Sequence, residues 1–359
     1  MIRTRSARHP AGKETAQPTV VIASAGRRLY LIDWFRAAFS ALGVEGRVVV
    51  TEADPTSSSA TYGDAAWSMP TYDDPAYAAS LLSLVDELQP LLLVSVNDYE
   101  LMHLHVHTDL AEQLRARDVL VPGVDRRWQR GSADKLLMMQ LLQEIGVQTP
   151  MTVTGRDTSG IASMAAQTGE LVVKHRFGSG SSGLAVVSAS GIDEAIAAAV
   201  RSAPRTSRVA VSEDDVIVQP RVRGQEYGVD IVGDLHEPGE LSAVLARRKL
   251  RMRAGETDKA ITAAAEPFRH VAELLARSSR LSGLIDVDMF LDDVGTVSVI
   301  DVNPRFGGGY PFVHLAGADV PRDQLASALG LPRENSWLAY REGVTAAKYE
   351  SVRVTEGVA

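Results

Sequence analysis

Residues 171–188 read LVVKHRFGSGSSGLAVVS, with Gly178, Gly180 and Gly183 in the G-x-G-x-x-G spacing of nucleotide-binding loops. The segment after the glycines decides the fold. A dinucleotide-binding unit needs a helix there, whose N-terminus holds the pyrophosphate. In this chain the segment is LAVVS, a short run of strand character. A G-K-[ST] phosphate loop is also absent. The glycines therefore join two antiparallel strands, 171–175 and 184–188. Such a flap can fold over phosphates and offer backbone N–H groups, because glycine allows close approach. A flexible hairpin tip is the plainer alternative. Protein kinases also carry a strand–loop–strand of this kind, but their lysine follows the loop and H-R-D and D-F-G come later. Here Lys174 precedes the loop and neither motif occurs.

Outward from the loop, the chain alternates strand and helix on its N-terminal side. Residues 19–24 and 47–51 read as strands around a helix from Arg28 to Leu42, which Gly43 ends. A helix at 75–88 and an apolar strand at 91–96 come next. This alternation implies a small parallel α/β unit, with function beyond its C-terminal strand ends. SAGRR (24–28) and SVNDYE (95–100) occupy such ends. Arg27, Asp98 and Glu100 could hold a substrate amine or carboxylate there; Arg27 and Arg28 could equally be surface residues. Ser132 is the expected N-cap of an amphipathic helix, ADKLLMMQLLQEIG, with Lys135 in its first turn. A lysine there opposes the helix dipole and, taken alone, reads as a solvated side chain. Beyond the glycine loop come an Ala-rich helix at 193–202, a surface loop at 202–215 and a β-rich region from 216. A helix then covers 266–281. HLHVH (103–107) suits a helix, with His103 and His107 on one face, and reads as core or surface histidines.

The chain has 359 residues and a formal net charge of −8, which argues against a nucleic-acid surface. It has no cysteine, which excludes disulfides, thiolate metal sites and cysteine nucleophiles. No apolar run approaches the roughly 18 residues of a membrane span, and a cytoplasmic location is expected. Residues 1–18 read as a disordered tail. The expected divisions are an N-terminal α/β domain at 19–121, a subdomain bearing the glycine loop at 122–215, and a C-terminal subdomain at 216–359.

The last hairpin carries the sharpest chemistry. In LIDVDMFL, Asp286 and Asp288 share one face; in VIDVNP, Asp301 and Asn303 do. A two-residue turn at Val294–Gly295 would place Asp288 opposite Asp301. Opposed like charges are unfavourable unless a cation lies between them. Two carboxylates and an amide oxygen suit Mg²⁺ or Mn²⁺, one or two ions. Arg305 comes just after and could stabilise a transferring phosphoryl group. Gly307, Gly308 and Gly309 could admit a ligand's carboxylate or phosphate, or simply form a turn.

In this order, SAGRR, SADKLLMMQLLQEIGVQTP, VVKHRFGSGSSG, VIVQPRVRGQEYGVDIV, RRKLRMRAGE, DVDMFL and VIDVNPRFGGGYPFVHLAGADVP resemble the ATP-grasp superfamily. The likeness is to its branch of carbamoyl-phosphate-synthase-like and pyrrolysine-biosynthesis-ligase-like enzymes. The set spans roughly residues 19 to 350. The resemblance implies an α+β fold: a Rossmann-like N-terminal domain, then a two-lobed ATP-grasp domain. It implies that Lys135 and Lys174 contact ATP, that Gly178, Ser179, Gly180, Ser181, Ser182 and Gly183 form the phosphate flap, and that Gln219, Pro220, Arg221 and Val222 form the hinge that reads adenine. Glu226 would hold ribose, Asp288, Asp301 and Asn303 the metal, and Arg305, Lys249 and Arg253 would be catalytic. Gly308 and Gly309 would border the substrate. Relatives often carry Glu at Gln219 and Asp301, Gln or Glu at Asp288, and Arg at Lys249.

The implied reaction is ligation. ATP phosphorylates a carboxylate and an amine then attacks the acylphosphate, joining amino-acid-type substrates with release of ADP and phosphate. Small-molecule carboxylate and amine partners are expected, with no nucleic acid or membrane, and a homodimer on family grounds. The alternatives are a bicarbonate-activating carboxylase or carbamoyl-phosphate-type enzyme, and a non-catalytic ATP-binding protein.

Overall fold

A computed structural model describes residues 17–178, 183–202, 211–253 and 255–355. The expected tail therefore lies almost wholly outside the described residues, as do Ser179, Gly180, Ser181 and Ser182 of the expected flap.

Two buried valine-rich runs start the fold. β1 (Thr19–Ala23), β2 (Arg47–Glu52), β3 (Ala65–Ser68) and β4 (Leu92–Ser95) form a parallel sheet in the order β3-β2-β1-β4. The helices Leu29–Ala41 and Tyr77–Leu88 bury their apolar stripes on it. Chain reversal after the first helix uses Gly43 at φ +66°, a left-handed conformation that glycine adopts without strain. The expected elements stand here; β3 was not foreseen.

The second sheet is antiparallel. β5 (Val153–Thr154), β6 (Leu171–His175), β7 (Ala185–Val187) and β8 (Val216–Pro220) lie in the order β5-β8-β6-β7. Helices Thr158–Gln167 and Ile192–Ser202 cover one face and enclose a core of their own. Val172, Lys174 and Gln219 alternate with that core and lie on the other face.

β9 (Gln225–Gly233), β10 (Leu241–Arg253), β11 (Glu256–Ala263), β12 (Gly283–Leu291), β13 (Val297–Asn303) and β14 (Thr345–Ala347) form the largest sheet, in the order β13-β12-β9-β10-β11-β14. One face packs on helices Arg269–Ser279 and Lys135–Glu144. At one end of the other face Val232, Leu245 and Leu284 join the core of the parallel sheet, together with Phe306 and Tyr310. The first and third sheets are thus fastened by shared apolar burial, while the second keeps a separate core.

Three readings need correction. The cap of helix Lys135–Glu144 is Asp134, whose carboxylate accepts from Leu136 N and Leu137 N; Ser132 lies in the preceding helix, Arg126–Ala133, and donates to Gln129 O. The helix expected at 266–281 is a 3₁₀ turn, Glu266–Phe268, and then a helix, Arg269–Ser279. HLHVH widens into a π-helical turn, His103–His107, with His105 buried. The last hairpin keeps its expected register for a different reason. Asp292 N donates to Thr296 O, so the loop holds three residues rather than two. A bulge then leaves Ile300 unpaired, and the two offsets cancel to set Asp288 opposite Asp301.

Candidate active site

Residues opposed across strands share a face. The register places Asp286 beside Asp230 and Asn303, Asp288 beside Gly228 and Asp301, and Arg247 beside Gly228. Alternation adds Glu226 and Lys249 to the same polar face. Lys249 is buried; its Nζ donates to Glu226 Oε1 at 2.7 Å and lies 2.6 Å from Asp288 Oδ1. Burial opposes its charge, but the two carboxylates hold its pKa above the ordinary lysine range. Burial also raises the pKa of Asp288, with Asp286 and Asp301 adding to it against the pull of Lys249.

Behind this row lies a group that sequence reasoning missed. Arg247 is fully buried and reaches both Asp230 and Asp286, the latter at 2.6 Å. The surroundings are shaped for it. A Cβ on Gly228 would stand 2.9 Å from the guanidinium, and one on Gly309 only 2.2 Å from Arg247 Nε. A Cβ on Gly307 would stand 2.2 Å from Asp286. Gly307 and Gly309 thus lay backbone on protein side chains. Gly308 faces the Glu256–Lys348 ion pair, 3.3 Å from either for an added Cβ. The only advance signal for Arg247 was alternation in LSAVLARRKL, which sets Leu245, Arg247 and Lys249 on one face of a long strand.

Two lysines flank the base of the glycine loop: Lys135 at the start of a helix packed on the large sheet, and Lys174 on β6 of the second sheet. Lys135 Nζ donates to Gly178 O at 2.5 Å, and its N–H to Arg176 O. Asp134 caps the helix and receives a two-pronged bond from Arg176 at 2.7 and 2.6 Å, which fixes the helix start against the base of the glycine loop. Lys174 stands on the inner face of β6. Burial pulls its pKa down, as does Lys135, while Asp301, Asp288 and Glu226 oppose. Asp301 answers in kind: burial works to raise it, but Lys135 and Lys174 outweigh that and hold it below the usual carboxylate range. Lys174 of the second sheet, Lys135 of the helix packed on the large sheet and the carboxylates of the large sheet therefore share one field.

Arg305 joins the parallel-sheet domain to this cluster. Its Nε and Nη2 meet Asp98 at 2.7 and 3.0 Å, across 207 residues of sequence. Asn97 caps the short helix beginning at Asp98, which leaves the Asp98 carboxylate free for this contact. Glu100 is placed differently from the expectation: it is buried and accepts from Tyr77 Oη and Ser95 Oγ inside its own domain. Arg27 is exposed, whereas Arg28 donates to Val96 O at 2.7 Å. Arg253 lies exposed at the far end of β10, 3.9 Å from Glu350, away from the Lys249 cluster. Gln219 is buried with Nε2 on Thr152 Oγ1, and Pro220 ends β8. Arg221 pairs with Glu170 on the surface, and Val222 is half-buried in the link to β9.

A hard divalent cation fits the chemistry of Asp288, Asp301 and Asn303. The carboxylates of Asp288 and Asp301 oppose each other across paired strands, which suits a cation between them. Asn303 Nδ2 donates to Asp301, which turns its carbonyl oxygen, 3.5 Å from Arg305 Nη2, outward as a third oxygen donor. Among the described residues no group of three or more His, Cys, Asp or Glu could hold a metal by itself. Phosphate and water oxygens would have to complete such a shell.

Two family models match: an ATP-grasp domain over residues 132–309 and a PylC-like N-terminal domain over residues 20–117. The chain belongs to the ATP-grasp superfamily. Its fold is shared with solved structures of low identity. N5-carboxyaminoimidazole ribonucleotide synthetase from Thermotoga maritima is 15% identical, with a TM-score of 0.64 over 90% of this chain and 78% of that one. L-amino acid ligase from Bacillus licheniformis is 16% identical, with a TM-score of 0.63 over 91% and 78%. The biotin carboxylase domain of 2-oxoglutarate carboxylase from Hydrogenobacter thermophilus, in complex with MgADP, ADP and bicarbonate, is 16% identical, with a TM-score of 0.66 over 89% and 71%. Comparison with curated protein sequences yields no match. Membership makes this ATP-grasp chain an enzyme of the ATP-binding ligase and carboxylase type. No helix among its described residues is long and apolar enough to cross a membrane.

Proposed function

We propose that the protein is an ATP-dependent carboxylate–amine ligase that joins amino-acid-type substrates through an acylphosphate. The observation that carries this reading is the convergence of Lys174 from the second sheet with Lys135, Lys249, Asp288, Asp301 and Arg305 from the large sheet, its packed helix and the turn after it. Phosphorylating a carboxylate brings two anions together, and that cluster is built to screen such charge. In the first step a carboxylate oxygen bonds the γ-phosphorus and the bond to the β-bridging oxygen breaks, releasing ADP. In the second the amine nitrogen attacks the acyl carbon, the C–O bond to phosphate breaks, and the nitrogen loses a proton.

Lys135, Lys174 and the glycine loop from Gly178 to Gly183 hold the phosphates. The segment Gln219–Val222 borders the adenine, with backbone groups as readers because the Gln219 amide is engaged by Thr152. Glu226 takes the ribose once Lys249 turns toward phosphate. Asp288, Asp301 and Asn303 would hold Mg²⁺ or Mn²⁺, which when bound would neutralise phosphate charge. Arg305 stabilises the transferring group. Closing the second sheet over this face excludes water from the acylphosphate. The divisions at about residues 122 and 215 belong to this reading, as does a cytoplasmic site of action.

The likeness to a biotin carboxylase domain holding bicarbonate supports one second reading, activation of bicarbonate. Incubation with ATP and Mg²⁺ should release ADP and phosphate only when an organic acid and an amine are both present. Release driven by bicarbonate alone would favour the second reading, and exclusive formation of AMP would remove both.

A further inference from the structure

We propose that Asp98 recognises the α-ammonium group of an amino-acid acyl donor whose carboxylate is taken by Arg305. The inference rests on the ligase reading and names the substrate class of that site. Asp98 and Arg305 form a two-pronged pair at 2.7 and 3.0 Å, between the first turn of a helix in the parallel-sheet domain and the turn after β13. The side chains are 27% and 11% exposed, so the pair is held out of bulk water yet stays reachable. Asn97 performs the capping of that helix, so the Asp98 carboxylate has no backbone duty there. Arg305 lies two residues beyond Asn303, and Nη2 stands 3.5 Å from Asn303 Oδ1. A carboxylate on its fork would therefore lie beside the charges assigned to phosphate.

The guanidinium fork takes one carboxylate in its two-pronged geometry. A substrate carboxylate must compete with Asp98 for it. If it wins, Asp98 is left as an anion beside another anion, which is costly in a partly desolvated site. A ligand that also carries an ammonium on its α-carbon removes that cost. One ion pair is exchanged for two and no unpaired charge remains. A plain carboxylic acid of the same shape leaves Asp98 unpaired. Discrimination by an unpaired polar group of this kind is strong, and with Asp98 partly exposed ~100-fold in kcat/KM is expected.

The test uses the full chain with ATP, Mg²⁺ and hydroxylamine as the amine, so that any acylphosphate is trapped as a hydroxamate. The probes are the standard L-amino acids and, for each, the acid lacking the α-amino group. Wild type should favour the amino acids by ~100-fold in kcat/KM. Asp98→Asn should bring that ratio close to unity, mainly by raising KM for the amino acid. Asp98→Glu should keep most of the preference, which shows that charge matters beyond a structural contact. An Asp98→Asn ratio equal to the wild-type ratio, or a wild type indifferent to the amino group, overturns the inference and leaves the ligase reading standing. If neither kind of acid yields hydroxamate and ADP, the ligase reading falls and takes the inference with it.

Discussion

Arg305 concentrates the problem at the scale of a residue. Its fork meets Asp98 on one side, and Asp286 and Asp301 raise its pKa further against burial. A lysine would keep the charge and lose the two-pronged geometry. Arg305→Ala should lower kcat on the order of 10²- to 10³-fold, as for removal of a transition-state donor. Arg305→Lys should recover only a small part of it, measured as ADP release. No spacing in the sequence discloses the Asp98 contact, because the partners lie in different domains. A second residue gives a pH signature. Burial, and after it Arg115, depresses His105 to about 4. Its unfolded pKa is about 6.5, so on acidification the unfolded chain takes up the proton first. Stability is therefore present above about pH 6.5 and lost as pH falls toward 4, by roughly 3 kcal/mol for this residue. Denaturant melts of His105→Gln should show a shallower acid limb between pH 6.5 and 4; an unchanged limb would exclude His105 as its source.

Among elements, the β12–β13 hairpin and the turn after it set the site. Alternation in DVD and DVN was legible because each strand buries one face and turns the other to charge. The bulge at Ile300 was not, since nothing local distinguishes an unpaired isoleucine from a paired one. The turn Gly307–Gly309 was legible as glycine-rich, but its purpose needed Arg247. Gly309 has an ordinary helical φ of −93°, so replacing it strains no backbone angle. The cost of Gly309→Ala is instead steric, because Arg247 is pinned by Asp230 and Asp286. Overpacking of this kind costs about 1–3 kcal/mol. Chemical denaturation should show that loss together with weaker ADP release; an unaffected midpoint would contradict the tight packing. Elements such as β5 and β14, two and three residues long at sheet edges, carry too little pattern to be read in advance.

At the scale of the molecule, the ATP-grasp order of motifs was readable because strand, glycine loop and metal-type hairpin occur in sequence. The division of burial was not readable. The parallel sheet and the large sheet share one core, while the second sheet keeps its own. A ligand that bridges Lys174 of the second sheet to carboxylates of the third should therefore stabilise both sheets together. ATP with Mg²⁺ at about 100 times Kd should add about 2.7 kcal/mol. Lys174→Ala should abolish that shift in Tm; a full shift in the variant would place the nucleotide elsewhere. The central claim is narrower: a carboxylate oxygen attacks the γ-phosphorus. Supplying a carboxylic acid substrate labelled with ¹⁸O in its carboxylate, with ATP, Mg²⁺ and an amine, tests it directly by mass analysis of the phosphate released. Phosphate carrying one labelled oxygen per turnover is expected. Unlabelled phosphate, or label in AMP, would contradict an acylphosphate.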